Sequence, residues 1–140
     1  MKRIVYGIIL VVISMMMITC KEGDVANKCE NPNWKFTEKA DYSVSMTAAI
    51  QLPSNLAPYL TEDDQMVALV GEEVRGVANL FEDIFYIQIQ GTDDELVDVT
   101  FQYWNAKTQF KYQAEEVYPF KQDEILGTPD EPLVLNFKII

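Results

Sequence analysis

The stretch "VDVTFQYWNAKTQFKYQA", Val97–Ala114, alternates in steps of two, then turns back on itself. Val97, Val99, Phe101 and Tyr103 fall on one side of an extended chain, with Asp98, Thr100, Gln102 and Trp104 on the other. Successive side chains of a strand point to opposite faces, so this pattern predicts a half-buried strand. The polar run "NAKT", 105–108, reads as a turn, and "QFKYQA" resumes the alternation. Pairing Trp104 with Gln109 sets Tyr103 against Phe110, Phe101 against Tyr112 and Gln102 against Lys111. Apolar then meets apolar and polar meets polar, which predicts an antiparallel hairpin.

The same period runs outward from this hairpin. In "YSVSMTAAIQL", Tyr42, Val44, Met46, Ala48, Ile50 and Leu52 share one face. "QMVALV", 65–70, is a nearly continuous apolar run suited to a central strand. "GEE" turns the chain and "VRGVA" returns it. In "IFYIQIQ", 84–90, Phe85, Ile87 and Ile89 point inward and Tyr86, Gln88 and Gln90 outward. A short strand is expected at Val117–Phe120. "LVLNFKI" closes the domain, with Leu133, Leu135, Phe137 and Ile139 on one face. Residues after 20 show no helical period. Seven or eight short strands separated by turn signals predict an all-β chain, an antiparallel β-sandwich of immunoglobulin-like or jelly-roll-like type. A closed barrel is the alternative.

The chain has 140 residues, enough for one domain with a modest core. It carries 22 acidic and 11 basic residues, a net charge of −11. Such a field repels phosphate backbones, so nucleic acid is not an expected partner. There is no histidine, which removes the commonest general base and zinc ligand. With no nucleophile motif either, the expectation is a non-catalytic protein without cofactor or metal. The acidic groups Glu62-Asp63-Asp64 and Asp93-Asp94-Glu95 with Asp98 lack the spacing of an EF-hand and read as solvated turns.

The N-terminus reads as an export signal. Lys2 and Arg3 precede 15 largely apolar residues, Ile4 to Ile18, short for a membrane-spanning helix. An uncleaved anchor helix is the alternative. Met17-Ile18-Thr19-Cys20 resembles a bacterial lipobox, with Thr19 where Gly, Ala or Ser is usual. The resemblance implies lipid attachment at Cys20 and anchoring in the outer membrane, at the cell surface. A Cys20–Cys29 disulfide is the competing reading. Removing the segment before Cys20 leaves 9 basic residues against 22 acidic, a charge of −13. The expected organisation is a signal peptide at 1–19, a tether at 20–41 and a β-sandwich at 42–140.

The run "DDQMVALVGEEVRGVANL" resembles a module that recurs in secreted and surface proteins of Bacteroidetes-type bacteria. That module pairs a strand of the form D-x-V-A-A-F-V-G with a returning E-x-R-G-V-A. Here Val67, Ala68, Val70, Gly71, Glu73, Arg75, Gly76, Val77 and Ala78 match. "VTFQYWNAKTQFKY" resembles its I-T-F-K-L-Y-D-A-x-T-G-K-x-Y hairpin, with Asn105 in place of Asp and Gln109 in place of Gly. "FKQDEILGTPDEPLVLNF" resembles its closing segment. The resemblance runs from about Tyr42 to Phe137 and implies an extracellular β-sandwich without a known reaction.

Candidate site residues follow from parity. Tyr86 and Trp104 share the wet face with Gln88, Gln90, Gln102 and Lys111. Aromatic rings flanked by amides suit a sugar-binding surface: apolar ring faces stack and amides read hydroxyls. The plainer alternative covers Trp104 with the loop around Phe81. Arg75 reads as a structural partner of Glu73, Glu72 or an acidic loop rather than a ligand anchor. Gly71 and Gly76 read as turn and bulge residues. The expected function is a non-catalytic surface module that binds glycan or a partner protein. A structural spacer or assembly subunit of a surface complex is the alternative.

Overall fold

The computed structural model describes residues 28–140, and the export signal and Cys20 lie outside them. The fold is an all-β sandwich. Its strands are β1 (Val44–Gln51), β2 (Gln65–Val70), β3 (Glu73–Val77), β4 (Asn79–Phe81), β5 (Ile84–Gly91) and β6 (Asp98–Trp104). They continue as β7 (Lys111–Ala114), β8 (Tyr118–Pro119), β9 (Ile125–Leu126), β10 (Leu133–Val134) and β11 (Phe137–Ile139). The first sheet has the order β10-β1-β5-β4, with β9 also on β1. The second has the order β11-β7-β6-β2-β3, with β8 on β6.

Two segments cross between the sheets and join them along both sides. The chain from β3 to β4 pairs first with β2 and then with β5. The segment 133–139, which the alternation predicts as one strand, divides the same way: β10 pairs with β1 and β11 with β7. Leu135, at the crossing, is fully buried, whereas Ile139 is exposed. Strands that change sheet at a corner are the usual way for a sandwich to close its sides.

The alternation places the core. Met46, Ala48 and Ile50 of β1 and Phe85, Ile87 and Ile89 of β5 face Met66 and Ala68 of β2 and Val99, Phe101 and Tyr103 of β6. The Val, Ile, Phe and Met side chains among them each contribute about 1.5–3 kcal/mol on burial. The β6–β7 hairpin forms in a different register from the one the sequence suggests. Tyr103 pairs with Tyr112, Gln102 with Gln113 and Trp104 with Lys111. Inward and outward faces are kept, because the slip is two residues. The turn explains it. Asn105 Oδ1 accepts from Thr108 N (2.8 Å), and Gln109 adopts φ +62° after the turn, the left-handed bulge residue of such a hairpin. Phe110 bridges outward to Lys28, and Cys29 N donates to Gln109 O (2.7 Å).

Segment 28–37 accounts for why "QMVALV" is apolar on both faces. Val67, Leu69 and Val74 form a second small cluster on the outer side of the second sheet, packed against Trp34. Thr37 N donates to Val74 O (2.9 Å), and Gln65 Nε2 donates to Asn31 Oδ1 (2.7 Å). The residues from Lys28 onward, read from the sequence as part of a tether, thus lie along the domain.

Candidate functional site

The six residues that parity grouped on the wet face are divided between the sheets, with Gln90 on the same strand as Tyr86 and Gln88. Tyr86 and Gln88 stand on the outer face of the first sheet, on β5. Gln102, Trp104 and Lys111 belong to β6 and β7 of the second sheet, whose outer face looks the opposite way. Trp104 is buried, and its Nε1 donates to Cys29 O (2.9 Å). It is covered by the N-terminal segment and not by the loop around Phe81, which is itself exposed on β4. Gln102 Nε2 donates to Gln113 Oε1 (2.8 Å), so its amide is engaged across the hairpin.

What remains on the first sheet is a hollow of about 470 Å³. Its floor is a row across three strands, where Ala49 of β1 pairs with Tyr86 of β5, and Tyr86 pairs with Asn79 of β4. In the next row Thr47 lies between Ile125 of β9 and Gln88 of β5. The far wall is Gly127, Thr128 and Pro129, in the connection between β9 and β10. Gly127, at φ +76°, packs so closely that a Cβ there would lie 2.5 Å from Ala49 O. Ala49 is small and buried in that floor, and Tyr86 is half-buried beside it. Among the described residues no charged side chain lines the hollow. The sequence signal for Tyr86 and Gln88 was parity alone. Asn79, Ala49 and the 127–129 wall could not be found that way, because they come from distant segments.

Arg75 is the centre of a buried ion-pair network. Ala68 pairs with Gly76 and Leu69 with Val74, so Arg75 is the extra residue of a β-bulge. Its side chain is only 5 % exposed. Nη1 and Nη2 donate to both oxygens of Glu95 (2.9 and 2.5 Å), Nε donates to Glu73 Oε1 (2.7 Å) and Nη1 also to Gln90 O (3.0 Å). The guanidinium lies 4.8 Å from the Tyr42 ring centre. The fork to Glu95 holds that carboxyl down at about 2, and hydrogen bonds from Lys39 and then Arg75 hold Glu73 at about 2 as well. Every donor of Arg75 that these contacts use is satisfied internally, and the geometry binds β3, β5 and the 92–95 turn together. Beside it, Gly76 allows β3 to lie against β5: a Cβ there would meet Gln88 O at 2.3 Å. Gly71 supplies φ +61° in the β2–β3 turn.

Two of the acids read as solvated turn residues are therefore structural: Glu95, in the fork with Arg75, and Asp64. Asp64 is buried. It accepts from Tyr103 OH (2.5 Å), Asn105 Nδ2 (3.0 Å), Thr61 Oγ1 (2.7 Å) and Ala106 N (2.9 Å). Burial, then the bond to Asp64, pushes the Tyr103 hydroxyl well above its ordinary range. This network ties the start of β2 to the β6–β7 turn. Cys29 is buried and its sulfur is not a free thiol. The chain matches no family model, no curated protein and no solved structure.

Proposed function

We propose that the protein is a non-catalytic exported protein whose β-sandwich binds a glycan on the outer face of the first sheet. The observation that carries this reading is the uncharged hollow of about 470 Å³ walled by Tyr86, Asn79, Gln88, Thr47 and Thr128. Its size falls within the range of small-ligand sites, and its lining is apolar with a few polar groups placed around it. The backbone of β5 is paired with β1 along its length and with β4 over Ile84–Tyr86. The face thus offers ring surface, amides and hydroxyls rather than a ladder for an added strand. The strands at the sides of the sheets are short, β10 with 2 residues, β4 and β11 with 3 each and β3 with 5. That favours ligand binding over assembly through a long open edge. Export rests on the signal-like run of Lys2, Arg3 and Ile4–Ile18; lipid attachment at Cys20 is not part of this reading, because the sulfur of Cys29 is bonded and Cys20 is the other of the two cysteines.

The test is a glycan array probed with the exported protein, followed by titration of any hit against Tyr86→Ala and Lys111→Ala. Binding that is lost in Tyr86→Ala and kept in Lys111→Ala is expected. An array without a single hit, or a hit indifferent to Tyr86→Ala, refutes the reading.

A further inference from the structure

We infer that the ligand is a neutral glycan chain of several residues lying across the strands, not a single sugar and not an acidic one; this rests on the glycan-binding reading above. A second hollow, about 290 Å³, adjoins the first. It is lined by Phe36, Gly76, Val77, Asn79, Gln88 and Gln90. Asn79 and Gln88 line both hollows, so the two share a wall and form one trough.

The trough runs from Pro129 and Ile125 beside β1 to Phe36 beyond β5. From β9 to β4 it crosses three inter-strand spacings, roughly 14 Å at about 4.8 Å each. A single ring would fill one hollow and leave the other wet. A chain of rings would use both, with Tyr86 in the first and Phe36 in the second as stacking surfaces. Gln88 and Asn79, at the shared wall, are placed to meet hydroxyls near the junction between rings. Phe36 is held in place from two directions. Its ring lies 5.9 Å from that of Tyr42, and Thr37 N donates to Val74 O (2.9 Å).

Charge selects the ligand class. Among the described residues no charged side chain lines either hollow, although 24 % of the chain is charged. There is no Lys or Arg to meet a uronate or sulfate. Glu124, Asp130 and Glu131, around the β9–β10 end, are exposed acids that would repel one.

The experiment titrates the exported protein with gluco-, manno- and xylo-oligosaccharides from monosaccharide to hexasaccharide, and with oligogalacturonates of the same lengths. Thermal melts check that each variant folds. The expected result is binding to a neutral series that tightens with length and then levels off, with no binding of the acidic series. Phe36→Ala should weaken the longer oligomers about threefold to tenfold and leave the shortest bound form unchanged. Gln88→Ala should weaken both. Equal affinity at every length, or tighter binding of oligogalacturonate, overturns the chain inference while leaving glycan binding intact. An unfolded Phe36→Ala shifts the decision to the length dependence of the unsubstituted protein, which is sufficient alone. No binding of any saccharide, in this series or on the array, overturns the underlying reading as well. So does displacement of the trough by a peptide or protein partner with no saccharide competing.

Discussion

Replacing Glu95 with glutamine tests what holds the β3–β5 side of the sandwich together. Glu95→Gln keeps the side-chain shape and the acceptor for Thr92 N (3.0 Å) but removes the charge facing Arg75. The Arg75 side chain is 5 % exposed and that of Glu95 15 %, so solvent screens the pair weakly. Folding lowers the Glu95 carboxyl from an ordinary 4.5 to about 2. At 1.36 kcal/mol per pH unit that corresponds to about 3 kcal/mol. Glu73 stays bonded to Nε and offsets part of the loss, so about 2 kcal/mol is expected at pH 7. The sign follows from linkage. A carboxyl depressed in the folded state stabilises fully above about pH 4.5 and loses that contribution as pH falls through about 2. The difference between the parent and Glu95→Gln should therefore be constant from pH 7 to about 5 and shrink steadily toward pH 2. Urea unfolding at four pH values across that range measures it. A difference below about 0.5 kcal/mol at pH 7 refutes the reasoning. So does one that persists unchanged to pH 2.

Gly76→Ala should destabilise by about 2–3 kcal/mol, because its Cβ meets Gln88 O at 2.3 Å, and Gly71→Ala by about 1 kcal/mol, from φ +61° alone; urea unfolding of the two ranks them. Asp64→Asn should cost about 3 kcal/mol, since an amide nitrogen would face donors that now share a carboxylate, and the melting temperature reports it. Trp104→Phe should lower stability by about 1–2 kcal/mol through the lost bond to Cys29 O, yet leave glycan affinity unchanged in the same titrations that report on Tyr86. Mass spectrometry of the exported, unreduced protein should find a peptide disulfide-linked between Cys20 and Cys29, the two cysteines of the chain, because the sulfur of Cys29 is bonded; an acylated N-terminal Cys20 would refute this, since one sulfur cannot serve both.

The strands were legible because a half-buried β-strand writes its geometry directly into the sequence. Val99, Phe101 and Tyr103, and Phe85, Ile87 and Ile89, are inward in the structure as their spacing requires. Pairing was less legible, because hydrophobic parity is insensitive to a slip of two. Tyr103 accepts Phe110 or Tyr112 equally well by that criterion, and the choice is made by the Asn105–Thr108 turn and the left-handed Gln109 that follows it. The break at Leu135 was hidden for a similar reason: "LVLNFKI" keeps its alternation while its two halves pair in different sheets.

The candidate site shows the same limit on a larger scale. Parity says which face of its own strand a side chain occupies, but not which sheet that strand joins, so Tyr86 and Trp104 looked like neighbours. Their fates differ because the chain's own N-terminal segment lies over the outer face of the second sheet, through Cys29 and Trp34, and reaches the first only with Phe36. On the second sheet, Val67, Leu69, Val74 and Trp104 are apolar or aromatic because Trp34 and Cys29 lie on them. On the first sheet no described segment covers the row Ala49–Tyr86–Asn79, and yet no charge lines the hollow above it. In an acidic chain, solubility alone would favour charged side chains on an open face. Internal packing explains the apolar residues of the covered face. A neutral ligand explains the uncharged residues of the open one.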